Sequence, residues 1–371
     1  MANEDKATRY HRLRRRASLI ATVGVGALMV LLLVSGGAVW LRTLTDRLTG
    51  ERWLSAAVYA IVLVFVSELA SLPLAYYQGV TLERRYGLAT QTVVMWWTDR
   101  LKSIALSLVF TVAAALIVTT LLRYAPTWWW LLASAIFAAL LVGVAQLAPI
   151  LLMPIFFRFR PLDRPALTRR LLALAERARA DVVGVFEWQL GDRTRKANAA
   201  LTGLGRTRRI LVSDTLLAAH SDDEIEVILA HELAHHVHRD LWSSLALESA
   251  LITLGLGISD RVLAATGGWF QLSGKGDAAG LPLLALTMSA VSLLLLPVAH
   301  ALSRAHERRA DRYALEMTQN PAAFVSAMKR LSSQNLAEET PSRLVEWIFH
   351  SHPSTSARIA AAQRWAAQRT R

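Results

Sequence analysis

The sequence of 371 residues contains no cysteine. This absence excludes disulfide bonds, thiol catalysis and cysteine-ligated metals, so any metal ion must be held by histidine and carboxylate side chains. Charged residues are also scarce, at 19% of the chain, whereas about a quarter is usual in soluble domains. Because several windows of about twenty residues have almost no charge, we predict an integral membrane protein.

The uncharged windows predict six transmembrane helices. They lie at about 17–40, 54–77, 103–122, 128–151, 241–259 and 281–302. The first window is too long for the apolar core of a signal peptide and is not followed by a convincing cleavage site, so we interpret it as an uncleaved span. Glu68 interrupts the second window, which indicates that this position faces protein or water and not lipid.

The distribution of basic residues predicts the orientation in the membrane. Ten lysines and arginines lie in segments 1–17 and 80–102, against six in the loops at 41–52, 123–127 and 260–280. Because cytoplasmic loops carry the excess of basic residues, the N-terminus and the segments that follow the fourth and sixth spans are expected to be cytoplasmic. Arginine outnumbers lysine 36 to 5, which suggests a GC-rich genome and favours a bacterial cell membrane.

The formal net charge of +13 raises the question of a nucleic-acid partner. Many of the arginines flank the apolar windows, as in segments 11–16 and 157–164, where they can meet anionic lipid headgroups. No nucleic-acid recognition motif accompanies the charge. We therefore expect the lipid bilayer as a partner, and no nucleic acid.

The polar segment after the fourth span has the pattern of a folded domain. An amphipathic helix is predicted at 165–180, and strands at 182–190, 196–203 and 208–217 predict a small antiparallel sheet. Ser221 and Glu224 have the spacing of a capping box, which predicts the start of a buried helix.

That helix carries His231-Glu232-Leu233-Ala234-His235, an HExxH sequence. Residues four apart lie on one face of a helix, so both imidazoles can bind one zinc ion. Glu232 lies about 100° further round the helix and can act as general base towards an attacking water. The alternative is a histidine-rich helix end beside the membrane whose charges are solvated.

A catalytic zinc needs a third protein ligand, and segment 301–316 offers one. Glu307 and Asp311 are again four apart on a predicted helix. Glu307 can be the third ligand, while Asp311 can accept a hydrogen bond from a ligand histidine and fix its tautomer. The alternative is that both carboxylates only pair with Arg304 and Arg308 on a solvated face.

Three other histidines are rival ligands. His238 is seven residues from His231, a separation of about 10 Å along the helix, which is too far for chelation of one ion. His236 points away from that face. His306 is a weaker candidate than its neighbour Glu307, because only Glu307 has a carboxylate at the supporting spacing.

The segments HELAHH and SRAHERRAD resemble the integral-membrane zinc metalloproteases typified by the type I CAAX prenyl protease, with the heat-shock membrane protease as a related branch. Three further stretches resemble the CAAX protease branch: LERRYGLATQT at 82–92, KANAALTGLGRTRRILVSDTLL at 196–217 and HSHPSTSARIAAA at 350–362. The resemblance implies one zinc ion, bound by His231, His235 and Glu307. It also implies that Glu232 is the general base, and that Asp311 is a supporting carboxylate or proton donor.

The resemblance also implies substrate contacts. Asn198 would lie beside an extended substrate that pairs with the strand at 196–203. His352 would be catalytic, and together with Arg358 it would approach the oxyanion or the substrate carbonyls. The alternatives are that Asn198 is only a turn residue and that His352 only precedes a helix.

The expected fold is a mainly α polytopic membrane protein with about six to seven transmembrane helices and a zincin-like catalytic domain that carries the small antiparallel sheet. The predicted segments are a basic cytoplasmic N-terminus at 1–17, four spans in 18–155 with a cytosolic loop at 80–102, the first catalytic half at 156–240, a membrane hairpin at 241–302 and the second catalytic half at 303–371.

The predicted function is cleavage of peptide bonds by a zinc-dependent endopeptidase on the cytoplasmic side, as in a CAAX prenyl protease. Its substrate would be a peptide or protein, either membrane-associated or cut near its C-terminus. One alternative is a quality-control protease for damaged membrane proteins. A second, of another class, is a zinc-binding transporter or scaffold without proteolytic activity.

Overall fold

The structure is a computed structural model that describes residues 5–203 and 207–369. The first four residues of the predicted segment 1–17 and the last two of the predicted segment 303–371 lie outside the described residues. The N-terminal half is almost entirely helical. Its helices are α1 (Lys6–Val34), α2 (Gly37–Thr49), α3 (Arg52–Tyr76), α4 (Glu83–Arg85), α5 (Val93–Tyr124), α6 (Trp129–Leu151) and α7 (Met153–Phe156), with a π-helical stretch (Tyr77–Leu82) that joins α3 to α4.

The C-terminal half combines a small sheet with two long helices. Its strands are β1 (Phe159–Pro161), β2 (Val185–Trp188), β3 (Ala199–Thr202) and β4 (Arg209–Ser213). Its helices are α8 (Pro165–Arg177), α9 (Asp214–Ala219), α10 (Asp222–Val237), α11 (Asp240–Thr266), α12 (Leu281–Thr318), α13 (Pro321–Asn335), α14 (Arg343–Phe349) and α15 (Thr355–Arg369), and a short 3-10 turn (Ala278–Gly280) leads into α12.

The described residues contain six helices long and apolar enough to cross a membrane, as predicted. The predicted first span at 17–40 runs too far, because α1 ends at Val34 and a new helix starts at Gly37. Gly36 between them has φ +75°, a conformation that glycine adopts without steric cost, and this residue breaks the helix.

The six spanning helices form a closed ring in the order α1, α3, α5, α6, α11, α12. Each helix packs against the next, and α12 packs against α1. Glu68 on α3 accepts a hydrogen bond from Arg100 on α5, so this intramembrane carboxylate contacts protein, in agreement with the prediction.

The connection between the second and third spans is much shorter than the predicted loop at 80–102. Helix continues to Arg85 and begins again at Val93, which leaves only residues 86–92 outside a helix. This short connection pairs with the catalytic domain: the N–H of Thr90 donates to the carbonyl of Arg193 at 3.1 Å, and the N–H of Arg195 donates to the carbonyl of Leu88 at 2.8 Å.

The sheet is mixed, and the prediction of a purely antiparallel sheet was wrong. Its strand order is β1-β2-β4-β3, and β2 and β4 run parallel. The parallel pair arises because the chain forms β3 at the far edge and then returns between β3 and β2. The predicted strand at 208–217 is also too long, since the Ser213 side chain accepts a hydrogen bond from the N–H of Leu216 and thereby starts α9.

Helix α10 lies at the centre of the folded domain in the C-terminal half. It begins with the predicted capping box of Ser221 and Glu224. Its residues Ile225, Leu229 and Leu233 are fully buried against α8, the sheet and α13. Burying three such side chains contributes about 1.5–3 kcal/mol each, which fixes the position of the HExxH sequence in the middle of the domain.

Candidate active site

Helices α10 and α12 bring together the three residues predicted to bind zinc. Helix α12 continues without interruption for 38 residues from the membrane ring into the catalytic domain, where it packs against α10. His231, His235 and Glu307 can each offer one ligand atom, and these atoms lie within 4.8 Å of one another. The two halves of the motif, about seventy residues apart in the sequence, therefore meet at one point.

The donor atoms have the spacing of a tetrahedral metal site. His231 Nε2 lies 3.2 Å from Glu307 Oε2, and His235 Nε2 lies 3.5 Å from Glu307 Oε1. Ligands at the usual zinc bond lengths of 2.0–2.1 Å are about 3.3 Å apart in a tetrahedron. Glu307 Oε2 is buried and has no hydrogen-bond partner among the described residues. A buried oxygen without a partner is costly, and a cation between these three side chains would satisfy it.

A carboxylate fixes the orientation of each histidine. His231 Nδ1 lies 2.9 Å from Asp311 Oδ1, and His235 Nδ1 lies 2.9 Å from Asp240 Oδ2. With Nδ1 bound in this way, the Nε2 atom of each ring is left available to a metal ion. The structure thus places Asp311 beside His231.

Asp240 was missed by the sequence reasoning, which interpreted the segment after His235 as the entry into the membrane. Arg239 adopts the left-handed conformation, with φ 56°, and turns the chain so that α11 starts against α10. Asp240 then lies 4% exposed beside His235 and also accepts a hydrogen bond from Arg309. Its only sequence signal is a carboxylate five residues after the second histidine.

Replacing Asp240 by asparagine is expected to weaken zinc affinity by about 10–100-fold, since the ring of His235 loses its charged partner. Competition with a chelator of known affinity measures the change. Glu248→Gln is the matched control on the same helix, because Glu248 is exposed and lies eight residues after Asp240. Equal zinc affinity in Asp240→Asn and wild type would show that Asp240 does not support the site.

The electrostatics of the site favour a positive charge. Burial lowers the pKa of His231, but the hydrogen bond to Asp311 and the nearby Glu307 carboxylate outweigh it and raise this pKa to about 9. Burial also raises the pKa of the Glu232 carboxyl above its usual value, against the opposing effect of His231 and His235. A carboxyl with a raised pKa is a stronger base, which suits proton transfer from water.

The residues predicted to contact substrate lie in three different environments. His352 is 62% exposed, and its Nδ1 lies 3.0 Å from Glu307 Oε2, so it borders the ligand cluster from the solvent side. Arg358 donates from Nε to Asp311 Oδ2 at 2.8 Å, so its charge is paired with that carboxylate. Asn198 is exposed immediately before β3, with its N–H donated to Ser213 Oγ at 3.0 Å.

The rival histidines do not join the cluster. His306 Nε2 lies 3.0 Å from Ser243 Oγ, which occupies its metal-binding atom. The ring of His238 packs edge-on against Tyr313, at 5.7 Å between ring centres. The alternative of carboxylates that only pair with arginines on a solvated face was also wrong, because Glu307 and Asp311 are buried, at 5% and 6% exposure.

Two family models match the chain. The model described as peptidase family M48 matches residues 161–366. The model described as CAAX prenyl protease N-terminal, five membrane helices, matches residues 2–158. Together they span both the membrane ring and the catalytic domain, and they do not favour a non-proteolytic transporter or scaffold.

Individual relatives agree with the family models. The chain is 30% identical to the uncharacterized metalloprotease YhfN of Bacillus subtilis, with 91% of this chain and 80% of that protein covered. It is 26% identical to CAAX prenyl protease 1 of Saccharomyces cerevisiae, with 80% and 69% covered. The crystal structure of Ste24p from S. mikatae has the same fold, at a TM-score of 0.85, 22% identity and coverage of 96% and 88%. The chain therefore belongs to peptidase family M48 and is a CAAX prenyl protease-like membrane metalloendopeptidase.

Proposed function

We propose that this enzyme is a zinc-dependent endopeptidase in which His231, His235 and Glu307 hold one zinc ion. The observation that carries the proposal is the arrangement of donor atoms. Both histidines have Nδ1 tied to a carboxylate, and both turn Nε2 towards a buried Glu307 carboxylate whose Oε2 has no hydrogen bond. Histidine and carboxylate ligands without cysteine are a donor set typical of catalytic zinc.

When bound, zinc supplies Lewis-acid polarisation of the scissile carbonyl and a nucleophile at neutral pH. Three protein side chains have the remaining roles. Glu232 accepts the proton of the attacking water and can pass it to the leaving amine. His352, exposed beside Glu307, can donate a hydrogen bond to the developing oxyanion. Asp311 is held between His231 and Arg358, so we assign it positioning of the histidine, with no proton-donor role.

We further propose that the substrate binds as an extended strand along β3. This strand is at the edge of the sheet and packs against α10, which carries Glu232. An edge without a further strand offers N–H and carbonyl groups to a peptide backbone, and Asn198, immediately before β3, can contact the same peptide. Mass-spectrometric mapping of the peptides that wild type cuts and Glu232→Gln does not cut tests the proposed endopeptidase activity. Identical cleavage products from both proteins would refute it.

The proposed substrate is a membrane-associated protein processed near its C-terminus, as the name of the yeast relative suggests. The same mapping tests this class when a prenylated C-terminal peptide and an unfolded membrane protein are offered side by side. Preferential cleavage near the end of the prenylated peptide supports processing. Cleavage of the unfolded protein at many internal sites would instead indicate quality control.

We also propose that the active site faces the cytoplasm of a bacterial cell. The N-terminal part of α1 and the catalytic domain lie at the same end of the ring: Arg15 pairs with Glu338 at 2.7 Å, and His11 Nε2 lies 2.8 Å from the carbonyl of Leu336. The excess of basic residues in segments 1–17 and 80–102 favours the cytoplasm for this end.

The absence of cysteine allows a direct test of this orientation. A single cysteine in place of exposed Lys329, in the catalytic domain, is expected to react with a membrane-impermeant maleimide only after cells are permeabilised. A cysteine in place of Trp269, which is 79% exposed at the opposite end, is expected to react in intact cells. The reverse pattern would place the active site outside the cytoplasm.

A further inference from the structure

The hydrogen bonds of β3 define which of its residues a peptide could pair with. The N–H of Ser213 in β4 donates to the carbonyl of Asn198 at 2.9 Å. In an antiparallel ladder, bonded and non-bonded pairs alternate, so Ala200 also faces β4. The N–H and carbonyl groups of Ala197, Ala199 and Leu201 therefore point to the opposite side of the strand, which is the edge of the sheet.

Asn335 already occupies this edge at Ala197. Its Oδ1 accepts a hydrogen bond from the N–H of Ala197 at 2.9 Å, and its Nδ2 donates to the carbonyl of Ala197 at 3.1 Å. These are the two bonds that a residue of a neighbouring strand would make. Beyond this point, β4 is the only strand that pairs with β3 within the described part of the chain. The buried Ala199 and the partly buried Leu201 are therefore the edge residues that face no further strand.

The position of Asn335 is fixed from several sides. It is the last residue of α13, and the carbonyl of the following Leu336 lies 2.8 Å from His11 Nε2 of α1. Gln334 donates from Nε2 to the carbonyl of Arg195 at 2.8 Å. On the strand side, Lys196 Nζ lies 3.0 Å from Glu83 Oε1. Contacts with α1 and α4 thus hold both the carboxamide and the residue it binds.

We propose that Asn335 is a positioning residue that determines specificity, because its carboxamide ends the peptide-binding edge of β3 at Ala197. This inference rests on the proposed binding of substrate along β3. An antiparallel peptide, the commoner and slightly more stable arrangement, has its carboxyl-terminal side towards Ala197. Going towards the carboxyl terminus of the peptide, one residue pairs with Ala199, and the chain then reaches the Asn335 carboxamide at Ala197. Peptides with a short segment beyond the scissile bond are therefore accepted, and longer ones lose backbone pairing.

A series of peptides with one cleavage sequence and progressively longer carboxyl-terminal segments tests the inference. In wild type, kcat/KM is expected to fall about tenfold, through KM, at the length that reaches Asn335. Asn335→Ala is expected to abolish this step, because Ala197 becomes free to pair. Gln334→Ala is the matched control: it removes a side-chain bond to the neighbouring Arg195 carbonyl at the same helix end and is expected to keep the step.

Three outcomes would overturn the inference. The first is that Asn335→Ala and Gln334→Ala change kcat/KM equally at all peptide lengths. The second is that kcat/KM of wild type does not fall at any length. The third is that kcat/KM falls with the length of the amino-terminal segment instead of the carboxyl-terminal one. If Asn335→Ala does not fold, N-methylation of successive peptide amides gives the answer with wild type. N-methylation is expected to lower kcat/KM only at the peptide amides that pair with Ala199 and Leu201. If N-methylation of an amide further towards the carboxyl terminus also lowers kcat/KM, the proposal is contradicted. A first experiment establishes that wild type cleaves the shortest peptide and that Glu232→Gln does not. If this experiment fails, the proposed function is refuted, independently of the role of Asn335.

Discussion

Glu232→Gln is expected to lower kcat for peptide cleavage by about a thousandfold while the protein keeps its zinc. The carboxamide has nearly the shape of the carboxylate but cannot accept the proton of the attacking water. General-base catalysis by a positioned side chain contributes about 10²–10⁴-fold. Glu232 is not among the three side chains whose ligand atoms converge, so metal binding is expected to be unchanged.

The measurement combines the cleavage rate of a fluorogenic peptide with zinc content by elemental analysis. Glu226→Gln is the matched control, since Glu226 lies on the same helix and only pairs with Arg170 at the surface. A surface pair of this kind contributes less than about 1 kcal/mol, so this variant is expected to behave like wild type. Near-normal cleavage by Glu232→Gln would exclude Glu232 as the general base.

Glu307→Gln is expected to have the second large effect, a loss of zinc affinity of more than about a hundredfold together with loss of cleavage. Replacing a residue that only supports a metal ligand typically costs 10–100-fold, and loss of the ligand itself costs more. Glu307 lies within 3.5 Å of both histidine Nε2 atoms, so its carboxylate can serve as the proposed third donor.

Zinc stoichiometry after dialysis, and recovery of cleavage on titration with zinc, measure the effect. Glu316→Gln on the same helix is the control, because Glu316 is exposed. His306→Gln tests the rival ligand and is expected to leave zinc binding intact, since its Nε2 faces Ser243. If Glu307→Gln keeps full zinc occupancy and His306→Gln loses zinc, the third ligand would be His306 and not Glu307. Retention of zinc by both variants would refute the proposed ligand set.

The parts of the site that the sequence could predict all depend on local periodicity. His231 and His235 lie on one face of α10 because residues four apart on any helix do. The same rule places Glu307 and Asp311 together on α12. The six spans were predictable for a similar reason, since each depends on the composition of one continuous segment.

The features that could not be predicted all depend on pairing between distant segments. The mixed sheet requires β4 to lie between β2 and β3, and no short pattern distinguishes that order from an antiparallel one. Asp240 contacts His235 because Arg239 adopts φ 56°. This left-handed conformation is uncommon for arginine and could not be predicted from the sequence. The pairing of Arg358 with Asp311 joins two helices through residues that are 47 positions apart in the sequence.

The sequence by itself determined the class of protein, the six spans and the residue types of a histidine and carboxylate metal site, because each follows from composition or helical spacing. Only the tertiary structure decided that the spans close a ring, that Asp240 orients His235 and that Asn335 occupies the edge of β3. Asn335 and Ala197 are 138 residues apart, and they meet because α13 packs against α10 beside the sheet. Contacts of this range arise when buried surfaces pack together, and packing depends on the whole chain at once.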